Sequence, residues 1–272
     1  MSLPATPKVS VIMAAYNMAH LIESSIRSVL KQTCTNFELL VYDDCSTDDT
    51  YDCVLRLAAT DSRIKLLRGA SNQGQAAVRN LCFQQARGVY IAIQDADDYA
   101  EPERLARQAA FLDKQPAYAA VGSLCRMQYD DGTMSVHARG KSGDIMAKDF
   151  LFGMPFPHAT TMFRSQALQT LQGYTATPDT RFRNEDYDLF MRMYAMKMRC
   201  YVLEEPLYRY YEGQAAYKRR KYRYRWAEAK VRYNGFRAMG LMPAGLPYVI
   251  KPLLVGLIPQ RIMEWRRMHM ER

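Results

Sequence analysis

The stretch that most constrains this 272-residue chain is a short apolar run that ends in acids. Gly88-Val89-Tyr90-Ile91-Ala92-Ile93 leads directly into Gln94-Asp95-Ala96-Asp97-Asp98. A β-branched run bounded by Gly and by charge predicts a buried strand. Several carboxylates then stand where that strand stops. Their mutual repulsion asks for a cation, and oxygen ligands select hard ions such as Mg²⁺ or Mn²⁺. Open α/β sheets bind ligands at the carboxyl ends of their strands. The run therefore predicts a metal–diphosphate site. A polar turn capping a helix near Pro102 would show the same letters.

The rest of the first half alternates. Residues 8–15, 37–42 and 64–67 read as strands. Ile22, Ile26, Val29 and Leu30 recur at i, i+4, i+7 and i+8, which predicts a helix packed on the sheet. Ser46 or Thr47 is placed to cap a helix through Ala59. Asn72-Gln73-Gly74 opens a helix to about Ala86, and another runs from Pro102 to about Lys114. Alternation of this kind predicts a doubly wound, mostly parallel α/β sheet flanked by helices. Later the pattern loosens. Residues 118–124 and 127–129 read as strands before a turn at Asp130-Asp131-Gly132. Residues 140–143 read as a loop, 154–158 as a Pro-broken loop into a strand at 160–163, and 179–184 as polar and flexible. Glu185-Asp186-Tyr187-Asp188-Leu189 opens a helix with acids in its first turn.

Composition narrows the function. Six scattered cysteines without a Cys-x-x-Cys pair argue against a zinc site or a disulfide framework and for a reduced cytoplasm. The N-terminal residues lack a signal-peptide pattern, and no apolar stretch is long enough for a membrane span. The net charge of +9 sits in the tail. Residues 218–272 hold 14 Lys/Arg and three Glu, so +11, which leaves −2 for residues 1–217. A nearly neutral body argues against nucleic acid, and a basic tail argues for an anionic partner. The turn after the first strand has no Gly-x-Gly-x-x-Gly, which argues against a dinucleotide site. It also lacks the Gly-rich basic loop expected of a nucleotidyltransferase.

Five blocks in order carry a resemblance. They are Val9-Ser10-Val11-Ile12-Met13-Ala14-Ala15-Tyr16-Asn17, then Asp43-Asp44-Cys45-Ser46-Thr47-Asp48-Asp49-Thr50, Asn72-x-Gly74-x4-Arg79-Asn80, Asp95-Ala96-Asp97-Asp98, and Glu185-Asp186-Tyr187-Asp188-Leu189. Over about residues 7–215 the chain resembles the family 2 glycosyltransferases, which have the GT-A fold and transfer a sugar from a nucleotide donor, usually with inversion. The resemblance implies a catalytic domain over 1–217, with a nucleotide-sugar half to about residue 120 and an acceptor half beyond it, followed by a basic helical tail over 218–272.

The resemblance also implies roles. Ala14 and Tyr16 lie against the nucleotide base, with Tyr16 stacking on it. Asp44 accepts a hydrogen bond from uracil, and Arg79 approaches that carboxylate or the diphosphate. Asp95 contacts ribose or a metal-bound water, Asp97 holds Mn²⁺ or Mg²⁺, and Asp98 helps position the donor sugar. Asp186 is the general base that removes the acceptor proton, with Glu185 beside it. His158 falls on the acceptor side, although a lone His beside a strand is commonly structural. Tyr211, in Tyr208-Arg209-Tyr210-Tyr211, stands where the family carries a His, which is the main departure. The expected donor is a UDP-sugar. The expected acceptor is a saccharide, free or lipid-linked, in surface polysaccharide synthesis. The alternative is a non-catalytic relative that binds nucleotide or carbohydrate.

In the tail, Lys218-Arg219-Arg220-Lys221-Tyr222-Arg223-Tyr224-Arg225 is dense in charge. Leu254, Leu257, Ile258, Ile262 and Trp265 recur at near-helical spacing among Arg261, Arg266 and Arg267. Such a segment suits the inner face of a cell membrane, and equally suits packing on the body or on a second subunit. Pro243, Pro247, Pro252 and Pro259 predict several short pieces rather than one helix.

Overall fold

The computed structural model describes residues 6–180, 183–213 and 222–256. Strands β1 (Val9–Ala15), β2 (Phe37–Asp43), β3 (Ile64–Arg68) and β4 (Tyr90–Ile93) are parallel, in the order β3-β2-β1-β4. β2 and β4 are buried along their whole length and β1 nearly so. Burial on both faces is why their sequences are continuous apolar runs rather than alternating ones. Helices α1 (Ile22–Leu30), α2 (Thr50–Ala58) and α3 (Gln75–Gln85) make the crossovers. Ile22, Ile26 and Val29 of α1 are fully buried, each contributing roughly 1.5–3 kcal/mol.

The chain continues through β5 (Tyr99–Ala100), α4 (Arg104–Lys114), β6 (Tyr118–Tyr129) and β7 (Gly143–Asp144). Two 3-10 turns, Ala147–Phe152 and His158–Thr160, precede β8 (Met162–Arg164) and α5 (Ser165–Thr170). Then come α6 (Glu185–Ala195), β9 (Arg199–Glu212), α7 (Arg223–Ala238) and α8 (Leu246–Gly256). Among the described residues the sheet has nine strands, ordered β3-β2-β1-β4-β8-β6-β9-β5, with β7 on β9. β8 runs antiparallel between β4 and β6, pairing Ile91 with Phe163 and Val121 with Met162. β9 lies parallel to β6. One mixed sheet therefore runs through both halves of the chain.

Several local expectations change. Ser46 and Thr47 do not cap α2, which begins at Thr50. Both serve the loop after β1 instead: the Asn17 N–H donates to Ser46 Oγ and the Thr47 N–H to Asn17 Oδ1. Residues 118–129 form one strand, because β9 accompanies it along its whole length and absorbs the irregularity as register shifts near Leu124. The strand expected at 160–163 starts later, since His158–Thr160 turns as a 3-10 helix first. Gly143, the last residue of the expected loop, and Asp144 after it pair with Val202 and Tyr201 of β9. The tail breaks before α8, near Pro243, but Pro247 stands in the first turn of α8 and Pro252 lies inside it, so neither breaks the helix. The basic residues 218–221 and the segment 257–272 lie outside the described residues.

Candidate active site

The carboxyl ends of β1, β2 and β4 open into one cavity of about 980 Å³. The loop after β1 is fixed from below. Asn17 adopts a left-handed φ of 54°, which Asn tolerates better than most residues. The Met18 and Ala19 N–H groups donate to Thr50 and Asp48. With its neighbours tied down, Tyr16 stays 43% exposed on the cavity wall. Asp44, just past β2, is buried, and its two oxygens accept the N–H groups of Gln73 and Gly74 at 2.8 and 2.9 Å. Gly74 has φ 86° and ψ 160°, a conformation open essentially to glycine alone. It lets α3 begin beside the cavity.

Arg79 of α3 is the organising cation. It is almost fully buried and spans two elements, donating to Asp95 at 2.8 Å and to Glu185 at 2.9 Å. Burial lowers its pKa, but the two carboxylates more than reverse this and hold it charged. Asn184, in a left-handed turn, precedes α6, so Glu185 and Asp186 arrive at the cavity in its first turn. Burial and the neighbouring Asp186 push Glu185 up to about 7, against the pull of Arg79. Asp186 is also raised, by burial first, with the Tyr187 N–H drawing it back at 2.7 Å.

The acidic cluster follows β4. Asp97 faces the cavity and is pushed up to about 6 by burial and by Asp95. Asp98 lies beneath it, 3% exposed, and accepts the Tyr211 N–H at 2.7 Å. Its Oδ2 is buried without a hydrogen bond. Behind the cluster sits Arg104 of α4, fully buried, donating to the carbonyls of Ile93 and Ala159 and to Gln94. Burial lowers its pKa to about 10, and Tyr208, Asp98 and Asp95 oppose the fall. Asp95, Asp97, Asp98, Glu185 and Asp186 thus gather around two buried guanidiniums, a surplus of negative charge that a cation would relieve. Among the described residues no three His, Cys, Asp or Glu side chains form a ready-made cage. Mg²⁺ or Mn²⁺ needs only one or two protein carboxylates and takes its remaining ligands from water and phosphate, and Asp95 and Asp97 are the acids of this turn that line the cavity.

The other expected residues divide. His158 reaches the cavity wall but is 7% exposed, and its Nε2 lies 2.9 Å from the Tyr174 hydroxyl. Burial, with Arg79 and Arg104 nearby, drives its pKa well below the usual range, so it is neutral. Tyr174 is itself clamped: Asn80 exchanges hydrogen bonds with its N–H and C=O at 2.7 and 2.8 Å. Gly173, at φ 70°, lets them meet, since a Cβ there would lie 2.4 Å from Asn80 Oδ1. The Tyr211 hydroxyl pairs with Asp130, and the neighbouring Tyr210 lines the cavity instead. Alternation along β9 explains the exchange, and recognising that strand in the sequence would have found Tyr210. Tyr208, whose hydroxyl accepts the Asp95 N–H, and Arg104 left no sequence signal, because their partners are remote in the chain. Arg139, Arg183 and Tyr224 also line the cavity.

The pattern of glycosyl transferase family 2 matches residues 10–172. A Bacillus subtilis glycosyltransferase, EpsE, is 40% identical over 269 residues, covering 98% of this chain and 94% of its own. The Escherichia coli protein WfaP, named a UDP-Glc:alpha-D-GlcNAc-diphosphoundecaprenol beta-1,3-glucosyltransferase, is 37% identical over 110 residues, 40% of this chain and 43% of its own. Among solved structures, S. aureus TarS 1-349 in complex with UDP-GlcNAc superposes with a TM-score of 0.69 at 21% identity, over 90% of this chain and 73% of that one. With its GT-A-like sheet and a cavity walled by the acids of its ordered blocks, the chain belongs to glycosyl transferase family 2 and is a glycosyltransferase.

Proposed function

We propose that the enzyme moves a sugar from a UDP-sugar to a hydroxyl of a lipid-linked saccharide, with inversion, in bacterial surface polysaccharide synthesis. The observation that carries this is the single cavity shared by Tyr16, Asp44, Asp97 and Asp186. Tyr16 offers an exposed ring for the base to stack on. Asp44 spends one acceptor site per oxygen on Gln73 and Gly74, and a carboxylate has others left for a uracil N–H. Asp97, supported by Asp95, would hold Mn²⁺ or Mg²⁺, which when bound neutralises charge on the departing diphosphate. Asp98 fixes the end of this turn to β9 through the Tyr211 N–H.

Asp186 removes the acceptor proton as the hydroxyl oxygen attacks. Its raised pKa makes it a stronger base than an exposed Asp, and such a base contributes ~10²–10⁴-fold. Arg79, gripping Glu185 and Asp95 together, sets the base at a fixed place relative to the donor. The WfaP name supports an acceptor on a lipid diphosphate, and the bound UDP-GlcNAc of TarS supports a UDP donor.

The test is donor hydrolysis, which needs no acceptor. UDP- and GDP-sugars are incubated with Mn²⁺ or EDTA, and released nucleotide is measured beside Asp97→Asn. Metal-dependent release from one UDP-sugar, lost in the variant, is the expected result. No release together with no metal-dependent UDP binding by calorimetry would overturn the donor assignment. NMR of the transfer product reads the anomeric configuration, and an α-linkage from an α-donor would refute inversion.

A further inference from the structure

We infer that the α7–α8 hairpin is the face by which the enzyme docks on an anionic lipid bilayer. On α8, Leu246, Ile250 and Leu254 recur every fourth residue and are 44%, 42% and 60% exposed, while Val249 and Pro252 are buried on the other side. On α7, Trp226 is 61% exposed, with Tyr222 and Tyr233 also open. Exposed Lys230 and Arg237 fall on the same face by helical spacing. The two helices pack as one unit. A Cβ on Gly245 would come within 2.9 Å of Phe236, and one on Gly256 within 2.8 Å of Tyr222. Large apolar side chains left exposed along two packed helices point to an interaction site.

The composition selects the occupant. Trp and Tyr beside Lys and Arg suit a headgroup layer, with the aliphatic side chains of α8 entering the acyl boundary. Glu228, the one acid within α7 and α8, is engaged by Arg225 and Arg232. Asp179 pairs with Lys230 at 2.6 Å, yet the six Lys and Arg of the two helices outnumber these two acids, so the surface keeps a positive balance that attracts anionic lipid and would repel a second copy of itself. No described helix is long and apolar enough to cross a membrane, so the contact lies in the plane of the surface.

The hairpin also adjoins the reaction site. Tyr224, between Tyr222 and Trp226, lines the catalytic cavity. Docking through this hairpin brings the cavity to the bilayer, where a saccharide on a lipid diphosphate is held. This last step rests on the acceptor proposed above. The docking itself does not.

The experiment uses the full chain and vesicles of phosphatidylcholine, with or without about a third phosphatidylglycerol. Trp265→Phe leaves Trp226 as the reporter, since the chain has two tryptophans. Flotation with the anionic vesicles, a blue-shifted Trp226 emission and its quenching by brominated lipid are expected. Ile250→Ser with Leu254→Ser lowers the partition coefficient on the order of tenfold or more, and donor hydrolysis stays unchanged. Absence of flotation, or equal flotation of the double variant, would overturn the proposal. So would a concentration-dependent dimer that the double variant dissolves, which would assign the face to a second copy. Hydrolysis without flotation would refute docking and leave the donor site standing. Flotation without hydrolysis or UDP binding would do the reverse.

Discussion

Two sites with buried carboxylates lie at opposite ends of the same parallel strands, and they are built on opposite principles. At the amino ends, Glu38 of β2 accepts hydrogen bonds from Ser10, Lys65 and Arg87. Burial raises its pKa, yet these donors bring it down to about 2. At the carboxyl ends, Asp97 and Glu185 are pushed up to about 6 and 7, because burial and neighbouring acids outweigh the cations supplied. The first site has two cations for its one carboxylate and is closed. The other is left short of positive charge and open to a cavity. A carboxylate satisfied by the fold belongs to stability, and one left wanting is available to a ligand or a reaction.

The comparison can be broken in four places. Asp186→Asn removes the base and should lower transfer by ~10²–10⁴-fold with little change in thermal stability. Steady-state kinetics beside a melting curve tests this, and a large loss of stability would mean that Asp186 belongs with Glu38. Arg79→Met strands Asp95 and Glu185 without their cation and should cost about 3–5 kcal/mol in denaturant unfolding, with Arg79→Lys recovering only part.

The two sites should also respond to pH with opposite signs. Glu38 has a depressed folded pKa, so its contribution is present above the unfolded value and is lost as pH falls from about 4.5 toward 2. Glu185 has a raised folded pKa, so its contribution is present below the unfolded value and is lost as pH rises from about 4.5 toward 7. From these shifts each limb is worth at most about 3 kcal/mol, and the acid limb less, because Lys65 and Arg87 are partly exposed and screened. Glu38→Gln should flatten the acid limb and Glu185→Gln the other, read from urea midpoints without divalent ions. Tyr16→Ala is the smallest effect, about fivefold to tenfold weaker UDP binding by calorimetry. Unchanged affinity would remove Tyr16 from the base site.

The parallel half was legible because burial on both faces writes strands as unbroken apolar runs, as in Val9–Ala15 and Phe37–Asp43. β9 was not legible, since Glu204-Glu205-Pro206 interrupts it and much of it is only partly buried. The acids of the site were visible as local clusters in the sequence. Arg79 was visible as a lone helix cation, but its grip on Glu185 spans more than a hundred residues. Arg104 and Tyr208 act through contacts that only the folded sheet creates, and no spacing encodes them.

The continuous sheet has a kinetic consequence. β4, in the first half of the chain, is hydrogen-bonded through β8 to β6 and β9 further along it. The two halves cannot swing apart about a hinge without tearing strand pairs, so substrate entry and product escape must proceed through loop and side-chain motion at the rim. Turnover would then be paced by small, fast gates rather than by domain opening. Divergence toward new acceptors would proceed by exchanging rim segments such as 130–143 while the strand order stays fixed.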